Sequence, residues 1–156
     1  MTTILIALHV LAAVLFIGPV TFAVSSFHVQ ATKARDGDPR AAGAARILHR
    51  LSGTYGMLAA IVPLLGVTVM FTDPAYWSRG QFHVALLLAV VAWIILLALI
   101  VPRQKKMMGE LGLLDPADHD PETDVVADWD KARRQLSVFG GVFSLLWLVM
   151  FALMYV

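Results

Sequence analysis

The sequence holds no cysteine. That excludes disulfides, a CxxC redox pair, and thiolate-held zinc or iron–sulfur centres. Charge is scarce as well. Asp, Glu, Lys and Arg make up 15% of the 156 residues, against ~25% in soluble domains. The scarcity is uneven: residues 1–32, 51–72, 80–102 and 135–156 contain none of these four types. Transporters build coupled proton and ion paths from charged residues inside their spans, and these stretches offer none. No HExxH, no glycine-rich phosphate loop and no Ser/His/Asp arrangement occurs. The basic residues lack the aromatic interleaving of a nucleic-acid surface, so no nucleic-acid partner is expected.

What is present is apolar. Hydrophobic residues reach 59% and the mean hydropathy is +0.76. A bilayer core of ~30 Å needs ~20 apolar residues as helix. The charge-free stretches therefore predict four spans, at about 3–27, 51–72, 81–101 and 135–155. They lack the in/out alternation of a membrane barrel. The first run has no basic residue ahead of it and is long, so it is expected to stay as a span rather than be cleaved. The fold class is all-α: one transmembrane domain, 1–156, built as an antiparallel four-helix bundle. Eleven of the twelve basic residues lie in 28–50 and 102–134, and only Arg79 lies in the 73–79 turn. By the positive-inside rule, 28–50 and 102–134 are cytoplasmic loops and both termini face outward across a bacterial plasma membrane.

Small residues mark where membrane helices meet. Candidate stripes are Gly53, Gly56 and Ala60 on the second span, continuing to Pro63 and Gly66. Ala85, Ala89 and Ala92 form one on the third, and Ser137, Gly141 and Ser144 one on the fourth. Gly18-Pro19 and Pro63 should kink their spans, because proline removes a helix hydrogen bond. Residues 115–124, DPADHDPETD, read as a solvated acidic loop. Residues 125–134 read as an amphipathic lead-in helix, with Val125, Val126 and Trp129 on one face and an Asp130–Arg134 pair.

His9 raises the sharpest chemical question, because ionisable residues inside spans are rare and often functional. It lies ~9 Å below the outer end of its span. His83, Met70 and Met150 belong to the same outer half. Thioethers and imidazoles suit Cu(I), and two facing histidines suit haem b. The alternatives are structural: a neutral His9 bonded to a neighbouring helix, a solvated His83 at the interface, and methionines filling gaps. His28 and His49 flank the basic segment at headgroup level, and His119 lies in the acidic loop.

Two phrases carry a resemblance: LHVLAAVLFIGPV at 8–20 and HRLSGTYGMLAAIVPLLGV at 49–67. The chain resembles a family of small four-helix bacterial membrane proteins of unknown function, similar in style to copper-resistance D-like proteins and to protoporphyrinogen oxidases of the HemJ type. In size and character it also resembles accessory factors of the actinobacterial cytochrome bcc–aa3 respiratory supercomplex. The last resemblance implies a non-catalytic accessory subunit. Its partners would be integral membrane subunits and lipid, with Trp129 as a partner contact and no cofactor of its own. The copper-resistance and HemJ resemblance implies a haem b- or copper-binding protein, or a haem-dependent membrane oxidase. His9 and His83 would then be cofactor ligands and Met70 and Met150 metal ligands.

Overall fold

The computed structural model describes residues 2–155, and its regular structure among them is entirely helical. Four helices are long and apolar enough to cross a membrane: α1 (Thr2–Arg35), α2 (Pro39–Met70), α4 (Gly80–Glu110) and α5 (Trp129–Leu153). A short α3 (Pro74–Trp77) lies in the turn between α2 and α4. The spans fall where the charge-free stretches placed them, but the helices overshoot. α1, α2 and α4 run for 34, 32 and 31 residues, about 46–51 Å at 1.5 Å per residue, well beyond a ~30 Å apolar core. The excess lies at the end carrying residues 36–38 and 111–128, here the loop end; α3 marks the turn end.

This corrects two expected loops. Within 28–50 only Asp36–Asp38 leave the helix, and 102–110 are helical. The local chemistry explains the tight joints. Gly37 (φ +95°) ends α1, with its N–H on the Ala34 carbonyl and the Asp38 N–H on that of Lys33. Asp38 then caps α2, accepting from the N–H groups of Arg40 at 2.8 Å and Ala41 at 3.3 Å, with Pro39 in the first turn. Gly112 (φ +64°) closes α4 by the same two-bond arrangement. The lead-in helix expected over 125–134 starts only at Trp129, because Asp128 takes the N-cap and accepts from Lys131 N–H at 3.0 Å. Val125 and Val126 are extended loop, and Asp130 pairs with Arg133 rather than Arg134.

Three of the long helices contain a π-helical segment: Ala13–Ile17, Leu51–Tyr55 and Ile95–Ile100. The first and third stand just before Pro19 and Pro102, which cannot donate to the preceding turn. α2 opens into a turn at Ala59–Ala60, just ahead of Pro63. α5, without proline, is regular throughout.

Packing is lopsided. The second half of α1 lies against the start of α2 and against α5; α4 lies against α5. A continuous core runs through these contacts, from Val20, Val24 and Phe27 to Leu96, Ile100, Met107, Leu136 and Phe143. The first half of α1 rests on Ile61–Met70 of α2, and of Thr2–Ala12 only Ala12 is buried. The helix bundle is thus dense at the loop end, and at the turn end thin on the α1/α2 side.

Candidate functional site

His9 is held by α2. Its Nδ1 lies 2.9 Å from the Val62 carbonyl oxygen. A carbonyl only accepts, so Nδ1 carries a proton, and in the neutral ring Nε2 keeps its lone pair. Gly66, one turn beyond Val62, makes room for the ring: a Cβ there would stand 3.1 Å from His9 Cε1. His9, Val62 and Gly66 together form a clamp between the two helices.

The other candidate ligands lie on α2, α4 and α5. Met70 is buried on α2, outside the continuous core that contains Met150. His83 is exposed near the start of α4, its Nδ1 3.4 Å from the Arg79 carbonyl and its ring against Trp77 at 5.7 Å. His9 and Met70 thus belong to the α1/α2 pair, and His83 and Met150 to the α4/α5 pair. Trp129, expected at a partner contact, is instead 7% exposed, with the Arg35 guanidinium 4.9 Å above its ring. Its place at the first turn of α5 points the indole into the chain's own core.

A groove of about 580 Å³ opens sideways between α1 and α5. Gly18, Ser25 and Ser144 supply small residues, and Phe22, Leu148 and Phe151 form exposed apolar walls. Ser25 and Ser144 hydroxyls meet at 3.4 Å. Trp147 lines the groove as well, but its indole nitrogen is buried, with no hydrogen-bond partner among the described residues. Gly140 sets the helix approach below: a Cβ on it would come within 3.0 Å of the Val24 carbonyl oxygen. Gly141, expected in the contact stripe, faces open space.

The loop end carries a polar chain that the sequence reading missed. Ser52 and Gln104 are fully buried. The Gln104 amide donates to Ser52 Oγ at 3.1 Å, and Ser52 donates to the Leu48 carbonyl at 2.9 Å. The Gln104 carbonyl faces His49 Nδ1 at 3.3 Å. The usable signal was a lone uncharged polar residue among Arg103, Lys105 and Lys106, one turn beyond an apolar span.

The acidic loop is strapped over this end rather than free. Arg50 pairs with Asp115 at 3.1 Å, and Arg46 Nε donates to the Leu113 carbonyl at 3.1 Å. Asp124, placed in the solvated loop by its acidic neighbours, is buried: it accepts from the Asp120 N–H at 2.8 Å and faces Lys105 Nζ at 3.3 Å. The Asp120 N–H, with Lys105 and His119 adding to it, holds the Asp124 carboxyl below the usual carboxylate range despite burial. Gly109 admits the strand of loop, since any Cβ on it would collide with the Asp124 backbone.

These features define a multi-pass helical membrane protein with a lateral groove and a capped polar end. Comparison with known proteins finds no matching family model, no matching curated protein and no matching solved structure.

Proposed function

We propose that this chain is a non-catalytic accessory subunit of a larger membrane complex, and that the α1/α5 groove receives a partner's transmembrane helix. The observation that carries this reading is the lateral groove itself, where Gly18, Ser25 and Ser144 lie between the exposed Phe22, Leu148 and Phe151. Small residues let a second helix backbone come close. The bundle is antiparallel in this reading, with its loop end in the cytoplasm of a bacterial cell and both termini outside the plasma membrane. Respiratory cytochrome complexes are the first partners to test, on the resemblance given above.

The second reading rests on His9. A histidine whose Nδ1–H is fixed by a carbonyl presents an oriented Nε2, the arrangement found in metal- and haem-ligating histidines. Haem b or copper would bind there.

One experiment separates the two: affinity capture of the tagged chain from native membranes in mild detergent, with protein identification and an absorption spectrum on the same sample. The subunit reading expects co-purified membrane proteins. Capture should fall severalfold in Ser25→Leu, which puts a bulky side chain where the small residues of the groove let a second helix come close. Haem absorption or stoichiometric copper in a partner-free sample, lost in His9→Ala, would replace it with the second reading.

A further inference from the structure

Where α4 leaves its apolar span and α5 begins, a cavity of about 510 Å³ lies between the two helices and residues 125–128. Arg103, Lys106 and Lys131 line it. None of the three has a carboxylate within ion-pair distance among the described residues, although Arg50, Lys105 and Arg133 nearby all do. The carboxylate in the lining, Asp128, is occupied as the α5 cap.

Arg103 is already set in place. Its Nε donates to Gln135 Oε1 at 3.2 Å and its Nη1 to the Leu99 carbonyl at 2.9 Å. Its guanidinium lies 4.9 Å over the Phe139 ring. Two of its five N–H donors are engaged and three remain. An arginine held this way loses little rotamer freedom when it takes up an anion.

The depth of the site selects the ligand. Phe139 and Ala98 belong to the charge-free stretches, and Arg103 directly follows one of them. The exposed Val125 puts an apolar side chain on the rim. The lining thus mixes three cations with apolar residues such as Ala98, Pro102 and Val126, as at the level where a lipid headgroup meets its acyl chains. A soluble phosphate would use only the cations. We propose that this cavity binds the phosphate of an anionic phospholipid, with Arg103 as the fixed anchor and Lys106 and Lys131 as mobile counter-charges. The site is independent of the groove and of the subunit reading.

Native mass spectrometry of the detergent-purified chain titrated with phosphatidylglycerol, and separately with phosphatidylcholine, tests this. Phosphatidylglycerol should be retained selectively at one saturable site. Lys106→Gln and Lys131→Gln should each weaken retention about fivefold, and Arg103→Gln more. Both lysines are exposed and unpaired, so folding is not at stake in those variants. Lys33→Gln removes an equal charge at the same end of the molecule, outside the cavity, and should change nothing. Equal loss in Lys33→Gln would overturn the site in favour of diffuse attraction. Full displacement by millimolar inorganic phosphate would overturn the lipid as its ligand.

Discussion

His9 donates its Nδ1–H to the Val62 carbonyl, and Gly66 makes room for the ring. The pair should behave as a unit. His9→Ala should cost about 1 kcal/mol in thermal unfolding in detergent, the scale of one interhelical hydrogen bond. Gly66→Ala in the natural chain pushes a methyl group against the imidazole and should also destabilise. With His9→Ala already present, that methyl meets empty space, and the better helix propensity of alanine should make the same change neutral or favourable. A double-mutant cycle that came out additive would mean the two residues do not share the contact. His9 stood out in the sequence because it was an ionisable group in an apolar run. Its partner could not be read there, since a backbone carbonyl leaves no mark in the residue types. Gln104 and Ser52 were overlooked for the opposite reason: each is an ordinary interfacial residue until packing buries it.

At the scale of helices, the sequence placed the spans well because hydropathy is summed over some twenty residues and tolerates local error. It placed their ends poorly. The segments 28–35, 39–50 and 103–110 are polar enough to read as loop, yet they are helical because they pack on one another and on the cap. Which glycine makes a contact depends on rotation by a single residue, about 100°. Ser137-Gly141-Ser144 and Gly140-Ser144 are equally good small-residue patterns on paper; the close approach at Val24 selects Gly140. Gly140→Ala should therefore cost about 1–3 kcal/mol, because the atom in the way is backbone and cannot swing aside. Its neighbour should respond in the other direction: Gly141→Ala should be neutral or stabilise by up to about 1 kcal/mol. Paired melting curves of the two variants check the register of α5 against α1. Similar values for both would put the helix in a different rotation.

For the whole molecule, the cap and the topology make separate predictions. Asp124 has a folded-state carboxyl pKa below its unfolded value. Its contribution is fully present above the ordinary range near ~4 and is lost as pH falls through the lower folded value. Hydrogen exchange in residues 111–128, corrected for intrinsic rates, should stay slow from pH 7 to 5 and accelerate below about 4. In Asp124→Asn that step should shrink, leaving the part due to Asp120, whose carboxyl the Glu122 N–H also holds below its ordinary value. The topology can be read directly because the chain has no native thiol. A single cysteine at Ser78 should react with an impermeant maleimide in intact cells, and one at Asp118 only after lysis. The reverse pattern would invert the molecule in its membrane.

The uneven packing also has a consequence for the bilayer itself. Membranes differ in thickness by several ångströms, and a span that does not match must tilt or deform its surroundings. Here the loop end is locked by a continuous core and a strapped cap, while the first eleven-residue segment of α1 leans mainly on one neighbour. Thinning or thickening the bilayer should therefore be absorbed at the turn end, by splaying α1 and the end of α2 away from α4 and α5. The groove beside Trp147 would widen or narrow with the lipid, and the grip on anything seated in it would follow.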